Sequence, residues 1–126
     1  MRRITLVSLA IAVAACSEAS PVVVEDHAPP DGVADVAGQV LDASGAPVAG
    51  SVTIACAGGA FGETVPIDAQ GRYHAFLVAP WTVLGGGESG RVACRFSAGA
   101  IRADATVGFG PRGLPHVLQI VDLRAG

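Results

Sequence analysis

From about residue 33 to the C-terminus, apolar residues recur at alternate positions in short stretches that end in clusters of Gly, Pro and Asp. No stretch sustains the 3.6-residue period of a helix, so the pattern is that of β-strands joined by tight turns. Val36, Gly38 and Val40 alternate with Ala37 and Gln39, and Asp42-Ala-Ser-Gly45-Ala-Pro47 then supplies turn chemistry. Val52, Ile54 and Cys56 share one face of a second strand. After a loop around Gly58 and Gly59, residues 64–68 predict a short strand that Pro66 confines to a sheet edge or a bulge. The turn Asp68-Ala-Gln-Gly71 predicts a hairpin into a strand over 72–78. Val92, Cys94 and Phe96 line one face of the next strand, Ile101, Ala103, Ala105, Val107 and Phe109 line the one after, and residues 117–123 form the last. Seven strands in roughly 90 residues predict an all-β, Ig-like sandwich of two packed sheets.

The first residues follow another rule. Arg2 and Arg3 precede an apolar run of twelve residues, Ile4 to Ala15, broken only by Thr5 and Ser8, and Cys16 follows. A membrane-spanning helix needs about 20 apolar residues, whereas this length fits the apolar region of a secretory signal. The residues Val13-Ala14-Ala15-Cys16 resemble the bacterial lipobox. That resemblance implies a diacylglyceryl group on the Cys16 thiol, cleavage just before it and acylation of the new amino terminus. Several acyl chains give stable anchoring, since each buried methylene contributes ~0.8 kcal/mol. An ordinary cleaved signal in which Cys16 is incidental is the alternative. Ser17, in place of an Asp, is similar to the sorting pattern for the outer membrane, and the implied location is the cell envelope, at the outer membrane facing the periplasm or at the cell surface.

The chain therefore divides into a signal peptide (1–15), a lipidated Cys with a flexible tether (16–32) and a sandwich domain (33–126). The tether holds Pro21, Pro29 and Pro30 with Glu18, Glu25, Asp26 and Asp31 and no aromatic residue, a composition that resists packing. Val22-Val23-Val24 offers the alternative of an added edge strand. The full 126 residues are 51% hydrophobic, enough for one packed core. All eight basic residues are Arg, and the net charge is −3. Removal of residues 1–15 takes away two arginines and no acid, which makes the remainder more acidic still. Such a chain lacks the basic surface that phosphate neutralisation requires, and nucleic acid is excluded as a partner.

Cys56 and Cys94 fall at the same inward parity as their apolar neighbours, and export would place them in an oxidising compartment. A disulfide between them is the inference; two free buried thiols are the alternative.

The stretch Val36-Ala-Gly38-Gln-Val40-Leu-Asp42-Ala-Ser-Gly45-Ala-Pro47-Val-Ala-Gly50-Ser-Val52, followed by Ile67-Asp68-Ala-Gln-Gly71-Arg-Tyr73, resembles the carboxypeptidase regulatory-like domain. The shared pattern is a strand with a small Gly, a D-x-x-G-x-P-x-x-G turn, a second strand and a D-x-x-G-x-Y hairpin. The resemblance covers residues 36–73 and implies a transthyretin-like sandwich of seven strands, a fold used as an accessory module beside peptidases, receptors or adhesins. Cys56 and Cys94 depart from that pattern. An antibody-type domain fits less well, since Trp81 lies nearer the second Cys than the first.

Catalytic readings find little to stand on. Hydroxyisourate hydrolases of this fold end in Tyr-Arg-Gly-Ser, whereas this chain ends Leu123-Arg124-Ala125-Gly126. Intradiol dioxygenases hold iron with two Tyr and two His, and Tyr73 is the one tyrosine here. His27, His74 and His116 show no metal-ligand spacing and read as surface polar groups, so no metal and no cofactor is expected. Gly85-Gly86-Gly87-Glu88-Ser89-Gly90 lacks the Lys of a P-loop and reads as a loop between strands. The expectation is a non-catalytic envelope lipoprotein, bound to the membrane through Cys16, that supports an envelope assembly or contacts another envelope protein. The alternative is a glycan- or peptide-binding module that uses Trp81, Phe61 and the Gly85 to Gly90 loop at the end of the sandwich as a contact surface.

Overall fold

The computed structural model describes residues 31–126. The expected signal peptide, Cys16, the tether with its Val22-Val23-Val24 patch, and His27 lie outside the described residues. Eight strands follow in order: β1 Gly32–Leu41, β2 Ser51–Cys56, β3 Phe61–Pro66, β4 Arg72–Ala79, β5 Gly90–Ala98, β6 Ile101–Pro111, β7 Gln119–Ile120 and β8 Leu123–Arg124. No α-helix occurs among the described residues.

The strand path runs β3-β2-β5-β6-β1-β4, with β7 and β8 pairing β1. Only two residue pairs, Gly32 with Pro111 and Val33 with Gly110, join β1 to β6. That narrow seam lets the path fold into two layers, β3-β2-β5-β6 and β4-β1-β7/β8, an all-β sandwich. Their inward side chains make one core: Val36, Val40 and Leu123 from the second layer, with Val52, Ile54, Phe96 and Val107 from the first. Tyr73 lies in that core, its ring 6.3 Å from Phe96. Strict alternation in β4, where every second residue is buried, matches the period of two that predicted it.

Three elements differ from expectation, each for a local reason. The strand expected over 64–68 lies at Phe61–Pro66, because pairing with β2 from Cys56–Phe61 to Ser51–Pro66 sets its register. β3 is an edge strand, as Pro66 requires, and Pro66 sits at its end. The turn at Asp68 forms, with Gly71 N–H donating to the Asp68 carbonyl at 2.9 Å, but it does not join two paired strands. β3 pairs β2 and β4 pairs β1, so the turn carries the chain from one layer to the other. A Cβ on Gly71, whose φ is +81°, would also press on the Val40 carbonyl and on Pro47.

The strand expected over 117–123 is broken into β7 and β8, both parallel to β1. Between them Gln39 N–H donates to the Asp122 side chain at 2.9 Å, where a ladder would use a main-chain carbonyl. The Tyr73 hydroxyl donates to the Val121 carbonyl at 2.6 Å. Gly38 makes this close passage possible, since a Cβ there would collide with Val121. The small Gly of the first strand is thus needed by the last one.

Candidate functional site

Cys56 and Cys94 stand directly opposite each other on β2 and β5 and form a buried disulfide. The bridge ties neighbouring strands within one layer. On the outer side of that layer, Ala55 and Ala93 contribute only methyl groups, and an open depression of about 770 Å³ results. Gly58 and Gly59 of the 3-10 turn Ala57–Gly59 border it, with Arg95, Asp104 and Thr106. Arg95 and Asp104 are a cross-strand pair, with Nε 3.0 Å from Oδ1. Ala57 holds a φ of +54°, a region that side chains with a Cβ avoid. The depression offers alkyl surface, one hydroxyl and an ion pair already matched internally, a set suited to contact binding.

The two aromatics singled out from sequence stand on different elements. Phe61, at the start of β3, is half-buried and meets Phe109 edge-on at 5.7 Å, within the wall of the sandwich. Trp81 follows β4 and is 38% exposed, with its ring against Gly86. The glycine run belongs to the loop between β4 and β5, as expected, and the Leu84 side chain plugs this loop between Gly32 and Gly90.

A second constellation was not foreseen. On the outer side of the other layer, Asp35 of β1 meets both histidines of the described chain. His74 Nε2 of β4 lies 3.0 Å from Asp35 Oδ1, and His116 Nε2, from the segment between β6 and β7, lies 2.9 Å from Oδ2. The other ring nitrogen of His116, Nδ1, lies 3.1 Å from the Leu114 carbonyl oxygen. The hydrogen bond from His116, with a further one from His74, holds the Asp35 carboxyl below its ordinary range against the opposing effect of burial. The two imidazoles take opposite carboxylate oxygens. Among the described residues no group of three His, Cys, Asp or Glu side chains is arranged to hold a metal ion. The sequence separations of 39 and 81 residues explain why no local spacing announced this cluster.

Around it the surface is apolar. Phe76 and Val78 of β4, Leu114, Val117 and Leu118 of the segment before β7, and Ile120 of β7 are all exposed, Val117 to 80%. The Phe76 ring lies 6.5 Å from that of His116. No described helix is long and apolar enough to cross a membrane.

Comparison with family models and with curated proteins gives no match. Among solved structures, the chain is similar to 3-chlorocatechol 1,2-dioxygenase from Rhodococcus opacus 1CP, with 12% identity, a TM-score of 0.42 and coverage of 79% of this chain and 60% of that one. It is likewise similar to chlorocatechol 1,2-dioxygenase from Pseudomonas putida, with the same identity and TM-score and coverage of 83% and 69%. The chain spans less than two thirds of the first of these enzymes.

Proposed function

We propose that this protein is a lipid-anchored, non-catalytic module of the bacterial envelope, a carboxypeptidase regulatory-like sandwich held off the membrane by an acidic tether. The observation that carries this reading is Val13-Ala14-Ala15-Cys16 at the end of a twelve-residue apolar run that follows two arginines. A chain so processed keeps Cys16 as its first residue, and the 15 residues from Cys16 to Pro30 lie between the lipid and the described part. Extended, such a spacer reaches up to roughly 50 Å, enough to clear the lipid headgroups.

The sandwich then acts by contact. Six exposed apolar side chains on β4, β7 and the segment between β6 and β7 favour a protein partner, because soluble monomers seldom display apolar patches of any size without a use for them. Phe61 is committed to Phe109, which removes half of the aromatic pair that a sugar platform would need. The test is incorporation of labelled palmitate in a bacterial host. The wild-type chain takes up label and Cys16→Ala takes up none; equal labelling of the two refutes the anchor.

A further inference from the structure

We propose that residues 112–118 form a proton-tightened strap, held most firmly against the outer face of β1 and β4 while His116 is an imidazolium bridging Asp35 and the Leu114 carbonyl, and loosened when that proton leaves. The inference does not depend on the lipid anchor.

The geometry of His116 carries it. Nε2 faces a carboxylate oxygen and Nδ1 faces a main-chain carbonyl oxygen, and both partners can only accept. Neutral imidazole has one N–H, so it leaves one of these contacts as two facing lone pairs; the imidazolium satisfies both. The charge also matters. Asp35, His116 and the sheet surface between them are only partly open to water, with side-chain exposures of 28% and 27% for the two residues. A charged hydrogen bond there is stronger than one in full solvent.

The segment is built to move as a unit. It is fixed at its far end where the Gln119 side chain brackets Gly108, accepting from its N–H and donating to its carbonyl, both at 2.8 Å. At its near end the Leu114 N–H reaches the Pro111 carbonyl at a long 3.4 Å, and Gly113 has a φ of +93°. Between these ends, His116 with Asp35 is the hydrogen-bonded tie to the sheet among the described residues. The strap carries Leu114, Val117 and Leu118, so its loosening changes how apolar surface is displayed around Phe76.

The ionisable groups on the elements packed around His116 are few. Asp35 stands on β1, His74 and Arg72 on β4, and Arg112 on the strap itself. Arg72 lies beside Asp68, its Nε 3.9 Å from Oδ2, and Asp122 accepts from Gln39 N–H. Asp35 is therefore the carboxylate that answers the imidazolium. The strap is held most firmly in a window bounded on the acid side by protonation of Asp35 and on the basic side by loss of the imidazolium proton.

The experiment is solution NMR of the methyl-labelled full chain from about pH 4 to about pH 8.5, following the Leu114, Val117 and Leu118 methyls together with the His116 ring. The methyl shifts are expected to change with the midpoint of the His116 ring, and the closed-to-open ratio to fall about fivefold on the basic side. Asp35→Ala and His116→Ala, which remove one partner of the tie, should hold the methyls at the open position throughout, while His74→Gln, which leaves the strap contact in place, should keep the transition. Methyl shifts that stay flat while the ring titrates overturn the proposal, as does a transition that survives in Asp35→Ala.

Discussion

At the scale of single residues, carboxylate groups organise two of the turns. Asp42 and Asp68 show it. Asp42 Oδ1 accepts from the N–H groups of Ser44 and Ala46 and from the Ser44 hydroxyl, and Asp68 Oδ1 accepts from the N–H groups of Gln70 and Arg72. These bonds stabilise the charged form, led by the Ser44 hydroxyl at Asp42 and the Arg72 N–H at Asp68, and both carboxyls lie below their ordinary range. A depressed folded pKa contributes stability above the unfolded value of about 3.9 and loses it as pH falls through the folded value. The thermal midpoint is therefore expected to fall on acidification below about pH 4, and Asp68→Asn should flatten that acid limb. An unchanged limb in Asp68→Asn speaks against this account of the turn. Tyr73, the residue after Arg72 on β4, acts within the core. Burial, with the nearby charge of Asp122, raises its phenol well above the usual tyrosine range, so the hydroxyl stays a donor to Val121. Tyr73→Phe should cost about 1 kcal/mol in chemical denaturation, with the loss concentrated in β7 and β8 as faster amide exchange. A variant as stable as wild type, with β8 equally protected, would show that the bond contributes nothing.

At the scale of elements, alternation revealed the strands that have one wet face and hid those that do not. β4 and β5 alternate buried and exposed positions almost without fault, and the sequence placed both. β1 begins four residues before the alternation starts, because Gly32, Val33 and Ala34 are all buried and leave no polar face to read. β7 and β8 hold two residues each, and their break depends on Gly38 and Tyr73, which lie far outside 117–123, and on the Asp122 side chain accepting from Gln39 N–H, which no alternation within 117–123 announces. The paired cysteines were legible by parity, but their placement on adjacent strands of one layer was not. Their bridge closes a loop with a sequence separation of 38 residues. In the chain-entropy picture it contributes about 4 kcal/mol by restricting the unfolded chain. Reduction, or paired Cys56→Ala and Cys94→Ala changes, should lower unfolding free energy by about 2–4 kcal/mol without loss of the β-sheet signal in circular dichroism. A loss below about 0.5 kcal/mol would mean that the pairing of β2 with β5 already confines the unfolded chain.

At the scale of the whole molecule, the proposed exported module on a spacer rests on the short apolar run that ends at Cys16 and on the acidic charge of the chain. The described residues show two separate surfaces. One is the shallow depression over the disulfide layer, bordered by Arg95 and Asp104. The other is the apolar outer face of β4 and β7, crossed by the segment that His116 ties to Asp35. The sequence pointed to Trp81 and Phe61, of which Phe61 packs in the wall of the sandwich and Trp81 stands in a loop. The residues that do converge come from three distant parts of the chain, and only the packing of β1, β4 and the last segment brings them together. The central claim is the anchor at Cys16, and the most direct measurement is the mass of the N-terminal proteolytic peptide of protein extracted from membranes. The account predicts a peptide that begins at Cys16 and carries a diacylglyceryl group. A peptide that begins at any other residue, or one that begins at Cys16 with an unmodified thiol, contradicts it.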